Sequence, residues 1–380
     1  MKEIKVGIIG GGFMCKAHAN GYKTSQYIFS ELGIRAALEA VCVRSTDKAQ
    51  ALAEKYGFAN AYAGVDALLA AGNVDLYDIC VPAETHRQVA LDVIAAGKPV
   101  LCEKPLALGA EDAREMLLAA QRQGIQHYVG FNYRFLPAVR MARDMIADGV
   151  LGSPRHMRVS YFQQNGADHE KLYENIRYVR TPKCGSLQEI GTHAIDQMRF
   201  LIGELKTVTA MTTTFTTERN TAAGERVAVS NEDMAAALVT FENGTTGVLE
   251  CSGAYWGKKN QLSWEIFCTE GSVTWNLENP NYLGIYVKNN PQYSDGVCMV
   301  NVTGNGYPYG EVWWPGSHNL GWEHGHVNMI AGVLENLAAQ EERQPVATFL
   351  DGYRTAVIVD SIRESSGTGQ KIELSKRFSL

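Results

Sequence analysis

The sequence lacks the features that would point to a membrane or a nucleic acid. None of its apolar runs approaches the roughly 18 residues that a membrane-spanning helix needs. Lysine and arginine form no basic run and the formal net charge is −6, so a phosphate-rich polymer is not an expected partner. There is no internal repeat and no low-complexity linker. At 380 residues the chain exceeds one ordinary core, so about two domains are expected.

Paired cysteines are also missing. The eight cysteines stand apart, without the CxxC spacing of a zinc ribbon or a redox motif. We interpret them as small core hydrophobes of a protein kept in a reducing compartment. The chain begins with a strand-like run rather than an apolar signal region, so a cytoplasmic location is expected.

The first strand-like run, residues 5–9, leads directly into three glycines. This order is typical of the strand-to-helix turn of a dinucleotide-binding unit. Gly10 would permit the tight turn, and Gly12 would let the backbone approach a pyrophosphate at the helix N-terminus. Cys15 stands where the third glycine of that motif belongs.

The same strand-then-helix pattern returns three times. Apolar runs at residues 38–43, 76–81 and 99–102 each precede a helical pattern that ends at a glycine, and residues 126–130 add another strand. Such alternation is typical of a doubly wound parallel sheet in the α/β class. We therefore predict a dinucleotide-binding Rossmann domain at residues 1–127.

Lys104 ends the third of these runs, inside the tripeptide Glu103-Lys104-Pro105. The carboxyl end of a parallel strand is where open α/β sheets bind their ligands. The following proline restricts the turn and can aim the ammonium group into a crevice. Lys104 is therefore a candidate catalytic group; the alternative is an ordinary exposed turn.

A different pattern begins near residue 150. Apolar and polar residues alternate at 262–266 and 273–277, as in an antiparallel sheet with one covered face. Asn243-Gly244 is a strong hairpin signal between two further strands. Residues 128–380 are therefore predicted to form a second, α+β domain around a large, mostly antiparallel open sheet. The other predicted strands are 155–162, 207–217, 234–242 and 246–252, and the predicted helices are 190–202, 327–339 and 352–364.

Glu189 and His193 are four residues apart near the start of the first of those helices, so a helix would place both side chains on one face. A carboxylate beside an imidazole suits proton transfer, because the acid orients the ring and raises its basicity. The alternative is a structural glutamate–histidine pair or a core histidine. Asp196, three residues further on, could instead cap or bridge.

Taken together, these segments resemble the glucose-fructose oxidoreductase / inositol dehydrogenase / rhizopine-catabolism (Gfo/Idh/MocA) family over nearly the whole chain. The combination of Glu-Lys-Pro with a downstream His-x-x-Asp is highly specific. The resemblance implies hydride transfer between a nicotinamide and a sugar or cyclitol carbon, and a C-terminal sheet that often forms the subunit interface. The carrying segments are Gly10-Gly11-Gly12 with His18, residues 81–86, 103–105 and 130–134, and Gly185 with Glu189, His193 and Asp196.

The resemblance also implies roles for individual residues. Lys104 would hydrogen-bond the reacting oxygen and His193 would accept its proton. Glu189 stands where the family usually has aspartate, and the resemblance implies a supporting carboxylate there, one methylene longer than usual. The implied cofactor-binding residues are Gly10, Gly12, Phe13, Met14, Arg44, Ser45, Pro82, His86, Glu103, Lys104 and Asn132, and the implied substrate-binding residues are Tyr133, Arg134, Gln163, Asp196 and Trp322.

The cofactor is expected to be NAD or NADP. NAD-specific sites usually place an acid at the end of the second strand, and this chain has Val43 there. Arg44 and Ser45 could bind a 2′-phosphate, which favours NADP slightly. No metal is expected. Glu323-His324-Gly325-His326 resembles part of a chelating site but lacks a third ligand at recognisable spacing, so a loop or a substrate contact is favoured.

The substrate is expected to be a small sugar. The turn at residues 10–14, the segment 161–164 and the aromatic stretch 307–322 are most similar to family members that act on anhydrosugars and glycosides. These oxidise the C3 hydroxyl of a glucopyranose to a 3-keto sugar. The alternatives are an inositol dehydrogenase, a nicotinamide-dependent glycosidase and a dinucleotide-binding sensor without turnover. A homo-oligomer built through the C-terminal sheet is expected, with no nucleic-acid or membrane partner.

Overall fold

The computed structural model describes residues 2–172 and 181–379, which divide into two compact units. The first unit comprises the chain up to Leu136 together with Gly321–Tyr353. The second comprises Pro137–Leu320 and Arg354–Ser379. No helix in the described parts of the chain is long and apolar enough to span a membrane.

The first unit is built on a six-stranded sheet. Every strand pair is parallel, and the order β3-β2-β1-β4-β5-β6 is that of a Rossmann fold, with its switch point between β1 and β4. The predicted α/β class is confirmed. The strands are β1 (Lys2–Ile9), β2 (Ile34–Val43), β3 (Asn60–Ala63), β4 (Leu76–Ile79), β5 (Val100–Cys102) and β6 (His127–Val129), and the helices are α1 (Phe13–Ile28), α2 (Thr46–Tyr56), α3 (Val65–Ala71), α4 (His86–Ala95) and α5 (Ala110–Gln123).

Burial and glycine punctuation explain why these elements form where they do. All residues of β4 and β5 are buried, as expected for strands covered on both faces. Helices α2 and α5 each end at a glycine in the left-handed region, Gly57 at φ 74° and Gly124 at φ 65°. Strand β3 and helix α3 were not predicted, because β3 has only four residues and none of them is fully buried.

The second unit is built on a nine-stranded sheet. Its order is β16-β15-β14-β13-β7-β12-β11-β8-β17, and only β7 and β12 pair in parallel. The predicted open, mostly antiparallel sheet is confirmed. Its strands and the other elements of this unit are α6 (Pro137–Ala147), β7 (Pro154–Phe162), α7 (Thr192–Ile202), β8 (Leu205–Thr213), β9 (Glu218–Asn220), β10 (Arg226–Ala228), β11 (Met234–Phe241), β12 (Thr246–Ser252), β13 (Gln261–Cys268), β14 (Gly271–Asn276), β15 (Tyr282–Val287), β16 (Cys298–Asn301) and β17 (Ile372–Glu373).

The predicted hairpin between β11 and β12 is confirmed, with Gly244 at φ 86° in the turn. The strand predicted at 207–217 instead runs from Leu205 to Thr213. One face of the sheet is covered: Trp264, Ile266 and Leu249 point into the core. Their neighbours along each strand lie on the opposite face.

Two long helices lie near the end of the chain, before β17. Helix α8 (Trp322–Ala339) belongs to the first unit, where it packs against α1. Helix α9 (Phe349–Thr368) contributes its first residues, up to Tyr353, to the first unit and the remainder to the second. None of the eight cysteines forms a disulfide bond, and every one except Cys298 is buried.

Candidate active site

The dinucleotide turn has the geometry expected of its glycines. Gly10 has φ 127°, and a Cβ there would lie 2.4 Å from the carbonyl oxygen of Cys80, so only glycine fits. Gly12 caps α1 without a side-chain hydrogen bond, and nothing lies within 4 Å of the position its Cβ would take. The first amides of α1 are therefore open to an anion, and they suit a pyrophosphate.

An aromatic pair stands beside this turn. Phe13 is the first residue of α1 and is 68% exposed, and its ring stacks on Trp322 with the centroids 5.3 Å apart. The Trp322 Nε1 donates to the Tyr133 hydroxyl at 3.3 Å. The first unit thus brings together three residues, predicted for cofactor and substrate, that are far apart in sequence.

The two residues predicted to bind the adenosine ribose, Arg44 and Ser45, directly follow β2. Arg44 is exposed, and its two neighbours in sequence, Val43 and Ser45, are uncharged. Ser45 is the N-cap of α2, and its hydroxyl accepts a hydrogen bond from the Lys48 amide at 3.4 Å. Ser45 therefore already has a structural task at this position.

His86 braces the loop that carries Lys104. Its Nδ1 lies 2.9 Å from the Pro105 carbonyl oxygen, and its Nε2 lies 2.9 Å from that of Val81. Burial lowers the pKa of His86, although the two carbonyl contacts oppose that effect. His86 is the first residue of α4, and Pro82, four residues earlier, is exposed. The Lys104–Pro105 peptide bond is cis.

The short 3₁₀ helix Asn132–Phe135 holds three of the predicted site residues. The buried Nδ2 of Asn132 has no hydrogen-bond partner among the described residues, so it is available to a polar group of a ligand. The guanidinium of Arg134 is buried and pairs with Asp351 at 3.1 Å. The structure thus assigns Arg134 an ion pair within the first unit.

In the second unit, His193 and Asp196 lie on α7 and are both buried. The predicted single helix face is wrong in detail, because Glu189 lies in a π-helical turn, Leu187–Gly191, that precedes α7. A Cβ on Gly191 would lie 2.9 Å from Leu187 and 3.0 Å from the Cys251 sulfur, so glycine lets this turn pack tightly. Glu189 is half-buried.

The end of β7 adds to the same unit a polar group that the sequence did not reveal. Asn260 Oδ1 accepts hydrogen bonds from the Tyr161 hydroxyl and the Gln163 amide, both at 2.7 Å. The Tyr161 ring lies 6.1 Å from the His193 ring, measured between centroids. Nothing in the spacing of residues 161 and 260 indicates this contact.

The Glu-His-Gly-His segment is helical, so the loop predicted for it is wrong. Helix α8 begins at Trp322, and the His324 Nδ1 accepts a hydrogen bond from the Gly321 amide at 2.9 Å. His324 therefore caps its own helix. His326 is buried, and its Nδ1 and Nε2 have no hydrogen-bond partner among the described residues.

Two groups of side chains in the described parts of the chain are close enough to share a metal ion. His18 with Glu103 and His326 forms one, and His18 with Asp78 and Cys80 forms the other. Both ring nitrogens of His18 are already within hydrogen-bond distance of carboxyl oxygens, 2.8 Å for Asp78 and 3.1 Å for Glu103. Hydrogen bonds thus account for His18 without a metal.

Comparison with known proteins gives a consistent result. Residues 4–131 match an oxidoreductase family with an NAD-binding Rossmann fold, and residues 139–274 match the GFO/IDH/MocA C-terminal domain. Levoglucosan dehydrogenase of Pseudarthrobacter phenanthrenivorans is 31% identical over 379 residues, which cover 96% of this chain and 97% of that protein. D-glucoside 3-dehydrogenase of Escherichia coli is 32% identical over 201 residues, covering 53% of this chain and 54% of that one. A levoglucosan dehydrogenase structure with NADH and levoglucosan matches with TM-score 0.93 at 30% identity, covering 98% of this chain and 99% of that chain.

Proposed function

Because the chain belongs to the Gfo/Idh/MocA family of oxidoreductases, we propose that it is a nicotinamide-dependent dehydrogenase acting on a secondary hydroxyl of a glucoside or related sugar. The observation that carries the proposal is Lys104, held at the carboxyl end of β5 in the same unit as an open dinucleotide turn. Ligands of open α/β sheets bind at that end of the strands.

The proposed roles follow from what each side chain can donate or accept. An oxidised nicotinamide, when bound, supplies the hydride acceptor. The Lys104 ammonium group stabilises the negative charge that develops on the carbinol oxygen as the hydride leaves. His193 accepts the hydroxyl proton, without which no carbonyl can form. Glu189 is proposed as a supporting carboxylate.

The remaining predicted residues are proposed to bind the two ligands. Gly10, Gly12, Phe13 and Met14 would surround the pyrophosphate, and the unpartnered Asn132 Nδ2 supports a contact to a polar group of the cofactor. The proposed contacts also include Arg44, Ser45 and Pro82 for the cofactor, and Tyr133, Arg134, Gln163, Asp196 and Trp322 for the sugar. His86 and Glu103, also predicted for the cofactor, are proposed to support the Lys104 turn that lies beside it.

The proposed product is a 3-keto sugar. Support comes from the relatives, one named for levoglucosan, an anhydrosugar, and another for oxidation of D-glucosides at position 3. A ketone at C3 acidifies the hydrogen at C2, which prepares the anomeric substituent for elimination by a partner enzyme. Whether this protein oxidises or reduces the sugar in the cell would depend on whether the partner enzyme consumes or supplies the 3-keto sugar.

A panel assay tests this proposal. The protein is incubated with levoglucosan, methyl β-glucoside or myo-inositol, each with NAD and with NADP, while the absorbance of the reduced nicotinamide is followed. Carbon NMR then locates the new carbonyl. We expect the fastest turnover on a glucose-derived compound, with the carbonyl at C3. Turnover of the cyclitol alone would instead favour an inositol dehydrogenase, and release of the aglycone without net reduction would favour a glycosidase.

We also propose a cytoplasmic homo-oligomer. Eight cysteines without a disulfide bond, seven of them buried, support a reducing compartment. Exposed apolar side chains on the open face of the second unit's sheet, Met211, Leu238, Phe267 and Met299, support self-association. Cell fractionation tests the compartment: recovery of the protein in an oxidising, secreted fraction would contradict it.

A further inference from the structure

A cluster of buried polar side chains lies beneath the Lys104 turn, within the first unit. His18 and Tyr22 are four residues apart on α1 and therefore project from one face of that helix. Asp78 belongs to β4, and Glu103 follows β5 directly. All four are at least 95% buried. Buried charged groups are retained only when each is paired, so the partners of this cluster must be accounted for.

The hydrogen bonds around His18 form a continuous chain. Its Nδ1 lies 2.8 Å from Asp78 Oδ2, which also accepts from the Tyr22 hydroxyl at 3.0 Å. Its Nε2 lies 3.1 Å from Glu103 Oε1. Carboxylate oxygens accept but do not donate, so both contacts are favourable together when both ring nitrogens carry hydrogen. An imidazolium between two carboxylates satisfies all three groups.

The other neighbours of His18 are consistent with one positive charge in this cluster, carried by the His18 ring. The Cys80 Sγ lies 3.5 Å from the His18 Nδ1. The centroid of the His326 ring, on α8, lies 5.5 Å from that of the His18 ring. Burial opposes a charge on His18, yet Asp78 and Cys80 together hold the pKa of His18 well above its ordinary value. Burial, with the nearby charges of His18 and Lys104, holds the pKa of His326 well below its own.

Glu103 connects this chain to Lys104. Its Oε2 accepts a hydrogen bond from the Lys104 backbone amide at 3.1 Å, while Oε1 faces His18. On the other side, Gly130 leaves no free space: a Cβ there would lie 2.5 Å from Glu103 Oε1. The carboxyl group is therefore held from three directions, and it binds the backbone from which Lys104 projects.

We propose that His18 is a positioning residue for the reaction: by holding the Glu103 carboxyl group, it fixes the backbone of Lys104 and so the direction of its ammonium group. His18 would not contact the sugar. The inference rests on the proposed role of Lys104, and it adds a residue on α1 to the machinery that serves that lysine. A charged group misplaced by about 1 Å can cost a hundredfold in rate, so such a support matters to catalysis.

The variant His18→Gln tests the proposal, because glutamine has similar reach but carries both of its N–H donors on one nitrogen. It therefore cannot bridge Asp78 and Glu103, which face different ring nitrogens of His18. With levoglucosan, or the panel sugar that reduces NAD fastest, we expect kcat to fall about 10- to 100-fold. The KM for the sugar and the Kd for NADH should stay within about threefold, since a positioning residue makes no ligand contact. The control is His127→Gln, a half-buried histidine of the same unit, whose Nδ1 accepts a hydrogen bond from the Phe349 amide.

A double-mutant cycle separates positioning from general stabilisation. If His18 acts through Lys104, adding His18→Gln to Lys104→Met should cause no further loss of kcat. Independent, multiplying losses in that cycle would overturn the proposal, as would a kcat for His18→Gln equal to that of the control. If His18→Gln melts below the assay temperature, Glu103→Gln replaces it in the same cycle, with the same expectation.

Failure of the proposed function can be distinguished from failure of this inference alone. Full activity of Lys104→Met would refute the proposed function itself and this inference with it, whereas a slow Lys104→Met beside an unaffected His18→Gln would refute only the inference. Elemental analysis of the purified wild type should find no stoichiometric transition metal. A bound metal that disappears in His18→Gln would overturn the positioning role, because His18 would then be a metal ligand.

Discussion

Lys104 is half-buried and directly follows Glu103, whose carboxyl group binds its backbone amide. For Lys104→Met we expect an intact fold and unchanged NADH affinity, with kcat lowered about 10²- to 10⁴-fold, the loss typical of a group that stabilises developing charge. Stopped-flow absorbance of the reduced nicotinamide measures the chemical step. A rate within threefold of wild type would contradict the catalytic role.

His193 is buried on α7, with the Tyr161 ring nearby and Asn260 bonded to the Tyr161 hydroxyl. We expect His193→Ala to lose most turnover at neutral pH. Activity should recover in part at higher pH, because hydroxide can then take the proton that the imidazole no longer accepts. A pH–rate profile from pH 6 to 10 measures this. Unchanged turnover at pH 7 would leave His193 a structural residue.

At the scale of elements, the parts predicted from sequence are those whose signals are local. Glycines in the left-handed region end α2 and α5, and buried runs mark β4 and β5, so the Rossmann pattern could be recognised. The contacts of the site are not local. His18 lies 60 residues from Asp78 and 85 from Glu103, and neither separation has a period that sequence could show.

The turn before α7 is a second feature that could not be predicted from the sequence. The four-residue spacing of Glu189 and His193 suits an α-helix, but the chain forms a π-helical turn at Leu187–Gly191 instead. Its local sequence has no separate signal. The turn depends on packing, since Gly191 closes onto Leu187 and onto the Cys251 sulfur of β12, which lies 60 residues away. Such tertiary packing overrides helix propensity.

The junction of β2 and α2 bears on the choice of cofactor. Arg44 is exposed there, and Val43, at the end of β2 where NAD-specific sites usually have an acid, is uncharged. We expect NADP to bind at least as tightly as NAD, and Arg44→Ala to weaken the binding of NADP alone by about 10- to 100-fold, because a hydrogen bond to a charged group is worth roughly 1.5–3 kcal/mol. Fluorescence titration with both reduced cofactors measures the two Kd values. A clear NAD preference that survives in Arg44→Ala would contradict the expectation.

The packing of α8 against α1 yields another prediction. Trp322 stacks on Phe13 at the dinucleotide turn, and an aromatic pair contributes roughly 0.5–1.5 kcal/mol. We therefore expect Trp322→Ala to raise the Kd for NADH by about 2- to 10-fold, through loss of order in the Phe13 ring. Trp322→Phe, which keeps the stack but not the bond to Tyr133, should bind NADH nearly as well as wild type.

The control for that pair is Tyr27→Ala, near the other end of α1, where an aromatic side chain is equally exposed at 67%. It should leave NADH affinity unchanged. Equal losses in Tyr27→Ala and Trp322→Ala would show that the effect comes from the stability of α1 and not from the Phe13–Trp322 stack.

The nine-stranded sheet has one covered and one open face. Strand register places Met211, Leu238, Phe267 and Met299 on the open face, and each is more than 40% exposed. Single exposed apolar residues are ordinary, but several on one sheet face indicate an interaction surface. The covered face already has helices packed on it, so the open face is where a second copy would bind.

Leu238 is the most exposed of the four, at 63%, and lies near the middle of β11, the third strand from one edge of the sheet. We expect wild-type protein to run as a dimer or larger in light scattering, and Leu238→Glu to shift it toward the monomer, because an unpaired carboxylate would be buried at the interface. The monomer should keep its circular dichroism spectrum, since Leu238 makes no contribution to the buried core. Val150→Glu, an exposed apolar residue off the sheet at 49%, is the control and should assemble as wild type does. A wild type that stays monomeric at micromolar concentration, or a Leu238→Glu variant that assembles normally, would show that this face is not the subunit interface.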